Sequence, residues 1–340
     1  MSDATALPRA VAIVGPTASG KSSLALALAE RFGRSILCCD SVQVYRKLDI
    51  GSAKPCEAER RRVPHELLDL VEPDQLFSAG EYGRLARECL ELAPAIFCGG
   101  TGLYLRAAGW THSGIGPGGD PQVRNHWGEP GAEARNSDRV SDHVDDHGEQ
   151  RDSFERAWME REASEPGAVH RALRERDPET AAPIHPENVV RALRALWLCE
   201  LHQEPISAVR KRDPPRPLLD ILMIVLDPGV AAVDAAIDRR CEAMLTRGWV
   251  SEVENLVAAG YDAQHKAMRS LGYRELLDHV TGASSLEQAT QAIKRATRKY
   301  ARRQRTYFRH QFRTLLPMDR IVHIEHPGAV PMALVAEFLQ

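Results

Sequence analysis

The eight residues Gly15, Pro16, Thr17, Ala18, Ser19, Gly20, Lys21 and Ser22 follow the spacing G-x-x-x-x-G-K-S, the pattern of a phosphate cradle. Its glycines let backbone N–H groups close on phosphate oxygens, and Lys21 adds a mobile positive charge. The Ser22 hydroxyl is placed to ligate Mg²⁺. The chemistry such a loop supports is the gripping and release of a chain of phosphates. Two further polar stops interrupt apolar runs. Asp40, Ser41, Val42 and Gln43 follow the run at 35–39, and Gly99, Gly100 and Thr101 follow the run at 95–98. Asp40 supplies a carboxylate and Thr101 a hydroxyl. By itself, the first could equally be a turn or helix cap and the second a simple glycine turn.

These groups need elements to hold them. Residues 10–14 form a continuous, β-branched apolar run, the signature of a parallel strand buried on both faces. Residues 22–32 repeat Leu and Ala at helical spacing, and Gly33 is placed as a C-cap. Strand, glycine turn and helix in this order are the context the phosphate loop requires, with the helix N-terminus adding partial positive charge. In open parallel sheets, ligands sit beyond the C-terminal ends of the strands, so residues 40–43 and 99–101 should face the same crevice. A further buried strand is expected at 218–226, followed by helices near 230–247 and 249–259.

The expected fold is α/β: a P-loop NTPase-like parallel sheet flanked by helices, with a mostly helical insertion. Residues 1–111 form the first part of the core, 112–200 the insertion and 201–340 the second part. The stretch 128–150 is rich in Gly, Asp, His and Asn without apolar periodicity, which predicts a flexible surface loop. Periodicity returns from Phe154, through 169–173 and 189–201.

The chain has 340 residues, 43% hydrophobic and 27% charged, an ordinary globular composition. Seven cysteines without a C-x-x-C pair, two of them adjacent at Cys38 and Cys39, suit reduced thiols better than disulfides. No signal-peptide pattern or apolar run of membrane-spanning length is present, so a soluble, cytoplasmic protein is expected. A net charge of −3 suggests no polyanionic partner by itself, but the cations are unevenly spread. Residues 294–313 hold nine Lys and Arg and no acid, within an expected basic RNA-binding helix at 293–313. Lys294, Arg298, Arg302, Arg305 and Arg309 recur at three- or four-residue intervals and share one face, suited to phosphates. Tyr300, Tyr307, Phe308 and Phe312 lie between them, able to stack on unpaired bases or to pack in the core.

In this order the pieces resemble the tRNA dimethylallyltransferase (tRNA isopentenyltransferase) family. The resemblance rests on GPTASGKS at 15–22, DSVQVY at 40–45, GSAKP at 51–55, GGTGLYL at 99–105, DPETAAPIHPEN at 177–188, LGYRE at 271–275 and TRKYARRQRTYFR at 297–309. It covers nearly the whole chain except about 112–165, and it is of the bacterial type, without a C-terminal zinc-finger spacing. The family moves a dimethylallyl group from dimethylallyl diphosphate to N6 of an adenosine beside the tRNA anticodon, releasing diphosphate. The resemblance implies that residues 15–22 bind the diphosphate with Mg²⁺ on Ser22. It makes Asp40 the general base and places Thr101 near the substrate oxygen.

It also implies an RNA face. Asp40, Ser41, Val42, Gln43 and Thr101 meet the flipped base, with Gln43 suited to an adenine edge, and Arg124 touches the bound loop. Val190, Arg191, Ala192, Leu193 and Arg194 match tRNA-contacting positions, as do Arg269, Ser270, Leu271, Gly272, Tyr273 and Arg274. On the basic helix the matching positions are Arg298, Arg302, Arg303, Gln304, Arg305, Thr306, Tyr307, Phe308 and Arg309. A protein that grips a stem-loop by itself needs no partner subunit, so a monomer is expected.

One departure stands out. The family has basic residues at the positions of Val230 and Ala236, the first helping to hold diphosphate, which leaves Arg239, Arg240 or Lys54 as possible substitutes. The alternatives are a P-loop kinase of a small metabolite, a non-catalytic P-loop RNA-binding paralogue, and prenyl transfer to a free adenine nucleotide.

Overall fold

In a computed structural model the described residues are 6–111 and 146–340. The chain runs β1 (Arg9–Val14), α1 (Lys21–Phe32), β2 (Ile36–Cys38), α2 (Glu57–Arg62), β3 (His65–Glu66), α3 (Ala79–Leu92), β4 (Ala95–Gly99) and α4 (Gly102–Gly109). A helical stretch follows: α5 (Asp146–Ser164), α6 (Ala168–Arg176), α7 (Pro178–Ala181), α8 (Val189–His202) and α9 (Ile206–Arg212). Then come β5 (Asp220–Leu226), α10 (Val230–Thr246), α11 (Trp249–Ala258), α12 (Tyr273–Val280), α13 (Leu286–His310), β6 (Ile321–Ile324) and α14 (Met332–Leu339).

The six strands form one parallel sheet in the order β3-β2-β4-β1-β5-β6. The apolar run at 10–14 is explained by its central place, where β1 pairs with β4 on one side and β5 on the other. Alternate residues serve opposite faces. Ala10, Ala12 and Val14 join a core with α3, α4, α11, α12 and α13, whereas Val11 and Ile13 join one with α1 and α14. β5 divides in the same way, with Ile221, Met223 and Val225 against Leu222, Ile224 and Leu226. Each buried aliphatic side chain contributes about 1.5–3 kcal/mol, so both layers hold the sheet that presents the loops.

The chain divides into two compact units. The sheet unit takes residues up to Trp110 and from Pro217 onward, and among the described residues the second unit takes 111 and 146–216. The expected insertion therefore ends not at 200 but at Arg216, because α9 completes the helical core through Ile206 and Val209. Asp177 fastens α9 there, its carboxylate accepting from Thr180 N, Thr180 Oγ1, Ser207 N and Ser207 Oγ at 2.8–3.0 Å. Of the stretch read as a flexible loop, 146–150 begins α5, and the rest lies outside the described residues. Arg124 lies outside them too. All seven cysteines are free thiols, as the sequence suggests. No helix among the described residues is long and apolar enough to cross a membrane.

Candidate active site

The loop between β1 and α1 takes its shape from backbone that side chains would obstruct. Gly15 has φ +150°, and a Cβ there would lie 2.2 Å from the Leu226 carbonyl oxygen at the end of β5. Gly20, at φ +91°, turns the chain into α1. Lys21 Nζ donates to Pro16 O at 3.2 Å, folding the ammonium back over the loop. Enclosure lowers the Lys21 pKa from its usual value, against the Cys98 thiol, while Arg240 pushes the same way and Asp40 opposes it. Ser22 is exposed at the first turn of α1.

Two residues beyond the end of β2 stands Asp40, whose Oδ1 accepts from Val42 N at 2.9 Å and closes a turn. β4 ends at Gly99, where a Cβ would sit 1.9 Å from Cys39 O, just beyond β2. Thr101 N donates to that same oxygen at 3.1 Å, and Thr101 Oγ1 accepts from Ser41 N at 3.0 Å. The Thr101 hydroxyl thus holds the turn that carries Asp40. Burial of Tyr300 on α13, aided by Asp40 and opposed by Thr101 and Gln304, pushes its pKa up to about 12.

Two cavities meet here. One, of about 440 Å³, contains Lys21, Ser22, Ala236, Arg240 and Arg247. The other, of about 600 Å³, contains Arg269, Arg274, Lys299, Tyr300 and Arg303. Thr17, Asp40, Ser52, Arg240 and Met244 line both, so Asp40 stands between the side lined by the glycine-rich loop and a wider, cation-rimmed side.

Several expected roles do not match the positions found. Gln43 is no free reader of an adenine edge, because its Nε2 donates to Ser52 O at 3.0 Å and Ala53 O at 3.1 Å. Ala192 and Leu193 are buried in the core of the helical unit, so their side chains offer nothing to an RNA. Arg191 is exposed on the same helix, and Val190 and Arg194 are half-buried. Tyr273 is fully buried, donating to Glu252 Oε1 at 2.7 Å, and Gly272 is buried against Trp249. Arg269, Ser270, Leu271 and Arg274 do line the wider cavity.

The basic helix differs most. Four of its five in-line cations are met by an acidic stripe: Lys294 by Glu242, Arg298 by Asp238, Arg302 by Asp234 and Arg305 by Asp227. Three of these acids lie on α10 and Asp227 just before it, so that face is neutralised within the protein by a segment the sequence does not place beside it. Arg303, Thr306, Arg309 and Lys299 are exposed, as is Arg302 despite its ion pair, while Tyr307 is half-buried. Phe308 is buried and stacks on Phe312, and Gln304 is 5% exposed, so these two side chains belong to the interior.

The expected weak point also moves. Val230 is 47% exposed and does not line either cavity, whereas Ala236 lines the phosphate side. Among the possible substitutes, Lys54 is committed to Asp49, Asp69 and Tyr45 O, and Arg239 is exposed outside both cavities. Arg240 lines both. Burial lowers its pKa from the usual arginine value, and Asp40 partly offsets this. Sequence reasoning missed Glu252 entirely. Its carboxylate accepts from the backbone N of Asp49, Ile50 and Gly51 at 2.6–3.1 Å and so fixes the loop that carries Ser52. A lone Glu on a helix gives no signal of that.

The model of IPP transferases matches residues 43–311, and that of isopentenyl transferases matches residues 8–71. The chain belongs to the IPP transferase family. It is 36% identical over 303 residues to a tRNA dimethylallyltransferase of Pelotomaculum thermopropionicum, covering 87% of this chain and 86% of that one. It is 39% identical over 310 residues to the tRNA dimethylallyltransferase of Solibacter usitatus, covering 88% and 90%. Among solved structures it is similar to a tRNA isopentenylpyrophosphate transferase from Bacillus halodurans, with a TM-score of 0.57 and 29% identity, covering 93% of this chain and 89% of that one. A family match running from the phosphate loop through α13 leaves no place for the small-metabolite kinase, whose reading needs only the first 105 residues.

Proposed function

We propose that this protein transfers a dimethylallyl group from dimethylallyl diphosphate to N6 of an adenosine next to the anticodon in tRNA, releasing diphosphate. The observation that carries this reading is Asp40, which lines the phosphate-side cavity and the wider one at once. The diphosphate is held by the loop amides, Lys21 and Arg240, with the allyl carbon directed toward Asp40. The adenosine leaves its stack and enters the wider cavity, whose rim carries Arg269, Arg274, Lys299 and Arg303 for the RNA backbone.

N6 is a poor nucleophile because its lone pair is delocalised into the ring. As the N–C bond forms, Asp40 accepts the N6 proton, and the C–O bond to diphosphate breaks. The charge that grows on the departing oxygens is met by Lys21 and Arg240, and the Thr101 hydroxyl donates to the bridging oxygen. Mg²⁺, when bound, supplies Lewis-acid stabilisation of the diphosphate, with Ser22 as its protein ligand. Among the described residues no cluster of three acidic, His or Cys side chains could hold a metal. That suits Mg²⁺, which keeps several waters and binds largely through substrate phosphates. We further propose a cytoplasmic monomer, since one chain contributes both cavities.

The test is incubation with dimethylallyl diphosphate, Mg²⁺ and either tRNA or AMP, followed by nucleoside analysis for N6-prenyladenosine. Product with tRNA only is expected. Product with AMP alone would move the acceptor to free nucleotides, and none with either would end the reading.

A further inference from the structure

Gln304 lies in the middle of the basic helix, in a segment whose resemblance points to RNA. Its environment points inward. Arg303 and Thr306 beside it are exposed, while Gln304 is 5% exposed. A carboxamide is buried only at a cost unless both of its ends are bonded, and here both are. Oε1 accepts from Thr17 N at 2.8 Å, and Nε2 donates to Gly100 O at 3.0 Å. The approach is built into the fold: a Cβ on Gly100 would stand 2.0 Å from Gln304 Nε2, so the glycine leaves the room the amide needs.

The two groups so joined belong to the two halves of the candidate site. Thr17 is in the phosphate loop. Gly100 precedes Thr101, which holds Ser41 and hence the turn of Asp40. Tyr300 lies one helical turn before Gln304 and lines the wider cavity. One side chain therefore sets the spacing between the loop that holds the leaving group and the turn that carries the base.

Resting on the function proposed above, we propose that Gln304 is a positioning residue for the phosphate loop and makes no contact with the RNA. By fixing Thr17 it keeps the neighbouring loop amides aimed at the diphosphate. Its loss loosens that loop and weakens diphosphate binding while leaving the RNA surface intact.

Titration calorimetry of the full chain with dimethylallyl diphosphate and Mg²⁺, beside binding of an anticodon stem-loop RNA, tests this on wild type, Gln304→Met and Gln304→Glu. Gln304→Met keeps the length and removes both hydrogen bonds. Gln304→Glu keeps an acceptor for Thr17 N but loses the donor to Gly100. The fitted number of sites reports the folded fraction, so a folding defect lowers that number and leaves the dissociation constant of the folded protein alone. The expected result is a diphosphate dissociation constant raised tenfold or more in Gln304→Met, less in Gln304→Glu, with the RNA constant within twofold of wild type. Weakened RNA binding with unchanged diphosphate binding would overturn the proposal. So would tighter diphosphate binding, which would mean that Gln304 competes with phosphate for the Thr17 amide. Wild-type protein that binds no dimethylallyl diphosphate would overturn the proposed function and this inference with it, whereas wild-type binding matched by both variants would overturn this inference alone.

Discussion

Arg298 of α13 meets Asp238 of α10 with Nη2 2.5 Å from Oδ1 and 2.6 Å from Oδ2. The pair is one rung of an antiparallel ladder in which residues 294, 298, 302 and 305 meet 242, 238, 234 and 227. A cationic stripe that looks made for phosphates is thus spent on holding two helices together. Arg298→Ala is expected to lower stability by about 1 kcal/mol, since the pair is only partly exposed, and to change RNA affinity less than twofold. Thermal unfolding and a salt series of RNA binding check this.

Lys299 and Arg303 are exposed cations on the rim of the wider cavity. Replacing Lys299 and Arg303 with Ala together should weaken RNA binding at low salt and reduce the salt slope by about 1.5, near the single-strand value of 0.7 for each phosphate contact. An unchanged slope would place the RNA elsewhere.

In the proposed mechanism Arg240, which lines both cavities, serves where the family has a cation at the position of Val230. Arg240→Ala should raise the dimethylallyl diphosphate dissociation constant and slow turnover by about 10²–10³-fold, the scale for losing a group that stabilises developing oxyanion charge. Val230→Arg should change neither quantity, because position 230 is exposed outside both cavities. Parallel kinetics on the two variants separates the positions.

Asp227 should make stability acid-sensitive. Its hydrogen bonds with Arg305 hold its pKa below the ordinary aspartate value of 3.8, with burial opposing and the Gly229 amide assisting. The unfolded chain then binds the proton more readily, so stability is fully present above that value and is lost as pH falls through the lower folded-state pKa. Asp227→Asn should lower the melting temperature at pH 7, and its difference from wild type should shrink once the pH is well below 3.8.

The phosphate loop and the central strands were legible in the sequence because local rules suffice there. Residues 10–14 could be a buried parallel strand and little else, and Gly15 to Ser22 encode a loop whose shape depends on its own glycines. What escaped is what tertiary neighbours decide. Asp234, Asp238 and Glu242 recur at four-residue spacing, yet nothing in that spacing says that the basic helix packs on them. Tyr273 and Phe308 follow motifs that suggest RNA, but core packing claims both. Gln304 sits among arginines, and only the fold shows that its amide reaches the phosphate loop. The end of the insertion was misplaced because α9 begins after Pro205, where local sequence signals a break and only packing shows that the same core continues.

The central claim is that Asp40 takes the proton from the acceptor amine between the two cavities. Single-turnover formation of N6-prenyladenosine on tRNA by wild type and Asp40→Asn, with tRNA affinity measured alongside, tests it most directly. The expected result is product from wild type and a rate about 10²–10⁴-fold lower in Asp40→Asn at unchanged tRNA affinity. Product formed by Asp40→Asn at the wild-type rate would contradict the account.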